Sequence, residues 1–396
     1  MKKYRFTVLS TVLIMFMASG AFATNGMRLI GFGPVQRAMG GVGVGATLDG
    51  AATLTNPAGM VDLGGRIDFG ASFFSPIVEI DGGVAGTFES DKGASPVPAL
   101  GLIIPTSLKN LSFGIGAYGV SGMGVDFNFG TTITNTNYSL MRFTPGVAYK
   151  IIDMVTVGVT ANVMYATMEY SMMGMAGQLT NMSSAAFGGG FTIGVKVKPI
   201  DMITVGVVYE STSWFQDFKF NQYVDGGTVN EDTIAFDQPM NFTFGVSAEP
   251  IKGLIVAFDL QWIQWSATNG NNLPNAMFDM DWKDQLVYKF GVQYTPIQLI
   301  TVRAGFNYGK MPVKELADGT LAAAMQSGVN MAFPAITEWH ITAGLGINLS
   351  EKLSVDLGVM YAPEAKVAID TTAAGGFSGS VKMYQYSLDA GVSYKF

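Results

Sequence analysis

Strict alternation of apolar and polar residues, recurring along the chain, is the feature that most limits what this sequence can fold into. Near the C-terminus Tyr384, Tyr386, Leu388, Ala390, Val392, Tyr394 and Phe396 share one parity; Gln385, Ser387, Asp389, Gly391, Ser393 and Lys395 share the other. Trp339, Ile341, Ala343, Leu345 and Ile347 alternate in the same way with His340, Thr342, Gly344, Gly346 and Asn348. So do Ile300, Val302, Ala304, Phe306 and Tyr308 with Thr301, Arg303, Gly305 and Asn307. Successive side chains of a strand point to opposite faces, so each segment sets an aromatic, apolar face against a polar one. A soluble β-sandwich also alternates, but needs neither an outward face this aromatic nor so many long strands. Charged residues make up 13% of the chain and hydrophobic ones 48%, too little charge for an ordinary soluble surface. Past residue 24 no apolar run reaches the roughly 18 residues of a spanning helix. The pattern predicts an all-β fold, a transmembrane antiparallel β-barrel.

Short turn clusters at 105–110, 151–154, 199–202, 250–253, 296–299 and 348–352 punctuate the chain. Proline recurs in them because it offers no N–H to a ladder. Longer polar stretches lie between them, near 81–95, 128–136, 171–184, 221–231, 267–283, 314–335 and 370–378. Short periplasmic turns alternating with longer outer loops are the habit of outer-membrane barrels. Joined this way, the segments give about 14 strands, with both ends on the periplasmic side.

The first residues read differently. Lys2, Lys3 and Arg5 precede an apolar run ending near Met17, then small residues close on Ala21-Phe22-Ala23. This is the plan of a cleaved secretory signal over 1–23, and the run is short for the alternative, a membrane anchor. Its removal leaves a mature chain more acidic than the −7 of the whole sequence, a poor match to nucleic acid. With no cysteine there is no disulfide framework and no thiolate metal site. The one histidine, His340, leaves little for a His-dependent triad or a zinc cluster. Neither an enzyme nor a cofactor is expected.

Residues 24–64 lack strand alternation and are dominated by small types. Gly41-Val42-Gly43-Val44-Gly45 lacks the flanking elements of a phosphate loop. This segment is expected to fill the lumen, with the barrel proper at 65–396. Here Arg37-Ala38-Met39-Gly40-Gly41, followed by Asp49 and Asn56-Pro57-Ala58, closely resembles the N-terminal hatch of the long-chain fatty acid and hydrophobic compound transporter family of outer membranes (FadL/TodX-like). The resemblance covers the whole chain and marks Arg37, Asn56, Pro57 and Ala58 as hatch residues. It implies a monomer among outer-membrane lipid and lipopolysaccharide, with its lumen plugged. A kinked third strand would open the wall. Long-chain fatty acids, or hydrocarbons and monoaromatics, would leave sideways into the bilayer. A general porin for polar solutes is the alternative, and the hatch argues against it.

The third strand carries Gly119, Ser121, Gly122 and Gly124, a composition that weakens pairing and favours a bulge; a simple packing adjustment would use the same residues. Parity sends Arg142, Lys196, Glu210, Asp259, Lys289, Arg303, His340, Asp356 and Asp389 to the lumen. They read either as ion pairs bracing the hatch or as a carboxylate anchor at Arg142, Lys289 or Arg303. Family members that carry fatty acids place a cation near the outer end of the fifth strand. The matching stretch here, residues 165–172, has none, which favours neutral substrates. Met168, Met172, Met173, Met175 and Met182 cluster nearby, as an adaptable apolar surface or as gap filling. The third and fourth outer loops read as short, which argues against an elaborate capture groove.

Overall fold

A computed structural model of the chain describes residues 25–108, 110–129, 133–173, 179–224, 227–268 and 280–396. The signal expected at 1–23 lies outside them, as do Met175 and the side chains of Met172, Met173 and Met182. The described chain begins with three short helices, α1 (Gly33–Ala38), α2 (Ala52–Thr55) and α3 (Met60–Leu63), with a 3₁₀ turn at Pro57–Gly59. Strands then follow in sequence: β1 (Arg66–Asp81), β2 (Thr87–Glu89), β3 (Ser95–Pro105), β4 (Leu111–Met123), β5 (Asp126–Asn128), β6 (Ile133–Phe143), β7 (Gly146–Ile152), β8 (Val155–Met173), β9 (Leu179–Ile200) and β10 (Ile203–Glu210). Next come β11 (Trp214–Phe215), β12 (Phe218–Val224), β13 (Gly227–Ile234), β14 (Asn241–Ile251), β15 (Leu254–Ile263), β16 (Gln285–Ile297) and β17 (Ile300–Gly309). Helix α4 (Leu321–Ala332) precedes β18 (Trp339–Asn348), β19 (Leu353–Asp370) and β20 (Ser378–Lys395).

The sheet closes on itself. β1 pairs with β20 from Arg66↔Lys395 to Asp81↔Ser380, and every wall pairing is antiparallel. Counting β6 and β7 as one strand interrupted at Thr144 and Pro145, fourteen strands form the wall. Proline cannot donate to a ladder, which accounts for the interruption. Even there the wall stays knitted, since Thr144 N donates to Gly116 O and Ala161 N to Pro145 O. The short turns fall where the sequence places them. The outer connections differ. Residues 171–184, read as a loop, are mostly strand, because β8 and β9 pair out to Met173↔Leu179. The fourth connection is longer than expected, spanning 211–240 and containing β11 and the β12–β13 hairpin. Residues 314–335 contain α4, begun by Thr320, whose Oγ1 accepts from Ala323 N at 3.2 Å.

Side-chain parity sorts the wall into two faces. Phe73, Phe187, Trp339, Tyr361 and Leu388 are exposed outward; Ser387, Asp389, Asp259, Glu210 and His340 are buried inward. Residues 25–46 are almost wholly buried among these inward residues. Inward glycines stand opposite one another across the strands: Gly70↔Gly391, Gly158↔Gly194, Gly206↔Gly245, Gly291↔Gly305 and Gly344↔Gly358. A side chain added at Gly206 would run into Val44 O, at Gly305 into Gly40 N, at Gly158 into Pro57, and at Gly391 into Pro34. The wall has given up its Cβ atoms where the N-terminal segment touches it. A side chain forced in there should cost about 1–3 kcal/mol. Gly206→Val is therefore expected to lower the guanidinium midpoint of the refolded barrel. Gly328→Ala, inside α4 where an added Cβ meets nothing within 4 Å, should not lower it and should gain up to about 1 kcal/mol from helix propensity.

Candidate transport site

At the mouth formed by the long connections, α4 leans over the β5–β6 hairpin and the outer end of β8. A cavity of about 300 Å³ lies between them, lined by Phe127, Phe129, Thr134, Tyr170, Ala324, Met325, Gly328, Val329, Met331, Ala332 and Ala374. Among the described residues no charged side chain lines it. Ala324, Gly328 and Ala332 recur every four residues and so present the small face of α4 to the cavity. The helix is anchored at its C-terminal end, where Thr136 Oγ1 donates to Ala332 O, and along its side, where Ser327 Oγ accepts from Asp370 N. This outer cavity, which the short third and fourth loops gave no reason to expect, is built mainly by the second and sixth connections. The reading of 314–335 as polar loop missed the alanine-rich, threonine-capped run that carries it.

From this cavity one contiguous apolar cluster runs inward. It includes Phe127, Tyr170, Val329 and Ala332 at the mouth, Met123, Tyr138, Met27 and Leu29 in the middle, and Val97, Ala99, Tyr118 and Val120 against the wall. Those last residues mark a break in the barrel. The β3–β4 ladder ends at Ala99↔Tyr118, and residues 95–98 of β3 pair only with β1. Beyond that point β4 shifts register against β6 between Gly119 and Ser121, and residues 117–125 are buried without alternation. The strand turns into the lumen. Its freed backbone is taken up by the N-terminal segment: Leu29 N donates to Val120 O at 3.1 Å, Gly122 N to Met27 O at 3.0 Å, and Arg28 bridges Ser121. Gly119 sits against Val97, and Gly124 against the backbone of Thr136. Pro96 and Pro98 stand on the β3 edge facing the break. Proline on a strand edge is the signal that the sequence reading passed over.

Below the cluster lies a polar layer. Glu210 accepts Arg28 through both oxygens, at 2.9 and 2.6 Å, and pairs with Arg142 at 2.6 Å. Arg303 pairs with Asp356 at 2.7 Å and Arg37 with Asp389 at 3.4 Å. Asp259 accepts the N–H groups of Gly43, Val44 and Gly45, so the glycine-rich stretch cradles the protein's own carboxylate. Lys289 stands opposite Asp259 across the ladder and is buried, without an ion pair among the described residues. Of the three proposed anchors, Arg142 and Arg303 are therefore held by internal carboxylates. Near residues 165–172 the inward positions are Ala166, Met168 and Tyr170, all buried and apolar in their surroundings. Arg28, which organises this layer, was not singled out from sequence.

The motif residues explain themselves locally. Arg37 Nη2 donates to Gly31 O. Gly40 and Gly41, with φ of +68° and +83°, end α1 in a conformation other residues rarely adopt. Asn56 Oδ1 accepts from Ala58 N and its Nδ2 donates to Val44 O, with Pro57 opening the 3₁₀ turn. Arg37, Asn56, Pro57 and Ala58 all lie against inner-wall residues.

A closed ring with an aromatic outer face, a polar inner face and an apolar cavity at one mouth defines a membrane-spanning β-barrel of channel type. The family described as "Outer membrane protein transport protein (OMPP1/FadL/TodX)" matches residues 10–396, and the chain belongs to it. It is a family of outer-membrane transport proteins, not of enzymes. Similar structures include the P. putida toluene transporter TodX (TM-score 0.75, 17% identity, 93% of this chain and 99% of that one). Others are a Pseudomonas aeruginosa FadL homologue (0.73, 15%, 96% and 100%) and the Ralstonia pickettii toluene transporter TbuX (0.70, 17%, 93% and 99%). At such identities the likeness is one of fold. An uncharacterized protein in the phosphoenolpyruvate carboxykinase gene 5' region of Chlorobium limicola is 39% identical over 73 residues, 18% of this chain and 36% of that protein.

Asp49, in the N-terminal segment, gives this interior a pH dependence. Burial, and then the charge of Asp68, push its carboxyl up to about 7 against the pull of Arg66. The unfolded carboxyl releases its proton near pH 4. Folding therefore takes up a proton between those values, and stability falls as pH rises through that window. Asp49→Asn should gain stability over wild type, by a margin that grows as pH rises through that window. Guanidinium unfolding at several pH values checks this; a difference that does not grow with pH would refute it.

Proposed function

We propose that this protein is a passive channel for neutral hydrophobic small molecules, taken up at the outer cavity and released sideways into the bilayer where the β3–β4 ladder stops. The observation that carries the reading is the contiguous apolar cluster joining the cavity to that break. A solute on this route stays among apolar side chains. Rehydration on a path through the periplasm would cost about 0.8 kcal/mol per methylene, and a single hydrogen bond returns only about 0.5–1.5 kcal/mol. The toluene transporters that share the fold support the substrate class. The N-terminal segment acts as the plug, which speaks against a general porin. The barrel closes within one chain, so the route needs no second copy.

Two substitutions test the ends of the route. Gly328→Phe fills the outer cavity, and Gly119→Leu crowds the break against Val97. Each is expected to reduce toluene uptake at least fivefold in cells lacking other transporters, with the barrel still heat-modifiable. Uptake unchanged by Gly119→Leu would point to axial passage; uptake unchanged by Gly328→Phe would remove the cavity from the route. For the plug, deletion of residues 26–60 should turn a nearly silent protein into an open pore in planar bilayers. Porin-like conductance already present in the intact chain, unchanged by the deletion, would overturn it.

A further inference from the structure

The layer beneath the apolar cluster holds two guanidinium groups close to the break in the wall. Arg28 belongs to the backbone segment that pairs with β4 beside the break. Arg142 is the ladder partner of Tyr118, the last residue of β4 still joined to β3. Both are buried, and they converge on one carboxylate, that of Glu210 at the end of β10. Arg28 takes both oxygens and Arg142 takes Oε1. This is the forked geometry by which arginine binds any carboxylate. Two cations meet at one carboxylate, and Arg142 Nε has no hydrogen-bond partner among the described residues, so Arg142 has a donor to spare.

We infer that Glu210 sets the selectivity of the channel: it is a resident carboxylate that occupies the Arg28–Arg142 pair and so denies it to acidic substrates. The inference rests on the reading of the chain as a hydrophobic-compound channel and names the residue that makes its substrates neutral. Being tethered, Glu210 competes at an effective concentration on the order of millimolar or above. A free fatty acid, sparingly soluble, is present far below that. An incoming acid must also displace a buried, doubly paired carboxylate and leave it without its partners, which is strongly unfavourable. A neutral molecule of the same length meets neither obstacle. Removing the charge of Glu210 while keeping its shape leaves Arg142, and the face of Arg28 turned to Glu210, open to another carboxylate.

The test compares initial uptake of oleate and of oleyl alcohol by cells without a transporter of their own, normalised to the heat-modifiable barrel. Wild type should favour the alcohol. Glu210→Gln should raise the oleate-to-alcohol ratio at least tenfold. Because Glu210→Gln takes a shared carboxylate from two buried cations, a second variant, Arg28→Gln with Glu210→Gln, keeps Arg142 alone and should raise the ratio at least threefold. A ratio within twofold of wild type in either folded variant overturns the inference, as does a wild-type preference for oleate. Wild type that takes up oleyl alcohol while the variants show no shift leaves the channel reading standing without Glu210 as its filter. Wild type that takes up neither compound overturns the channel reading itself.

Discussion

In hydrocarbon an unpaired backbone N–H or C=O costs several kcal/mol, so a sheet in a membrane must close and must account for every gap. The sixteen-residue β1 meeting β20 along its full length answers the first demand. The second is met inside the molecule. Where β4 leaves β3, residues 27–29 supply the missing ladder partner from the lumen side. The N-terminal segment thus does more than fill space: it supplies backbone partners that let the wall break at all. On the β3 side, Pro96 and Pro98 lower the cost differently, by having no N–H to leave unpaired.

The same segment dictates where the wall has side chains. Its backbone passes too close to the strands for a Cβ at Gly158, Gly206 or Gly305, and the ring of Pro34 does the same at Gly391. Paired glycines at matching register form a level of the barrel that is smooth on the inside while remaining fully hydrogen-bonded. Above that level the interior is aromatic: Tyr138 packs edge-on against Phe236, and Trp265 against Trp282. Below the aromatic zone it is ionic. The two zones meet at Arg28, whose neighbours Met27 and Leu29 belong to the apolar cluster while its guanidinium enters the polar layer.

Charge in that layer is spent internally. Arg37, Arg142 and Arg303 are buried, or nearly so, and each faces a carboxylate from another element. Asp259 is neutralised partly by three backbone N–H groups of the N-terminal segment. A buried pair of this kind adds little net stability but is costly to break. The arrangement fixes the position of the segment against the wall.

The sequence by itself determined the alternation, the six short turns and the inward set of charges, because strand parity and proline placement are local properties that one residue's neighbours decide. It also marked Gly119 and Gly122 as weak points, since a missing Cβ is visible without coordinates. Tertiary structure decided the rest. Residues 171–184 read as loop from composition, yet β8 and β9 hold each other extended there. The outer cavity joins α4 to Phe127 and Tyr170, roughly 150–200 residues away in sequence. Parity puts Arg142 in the lumen but cannot name its partner, which the fold makes Glu210. Those choices depend on which distant residues share a face of a closed sheet, and only closure of the barrel brings them together.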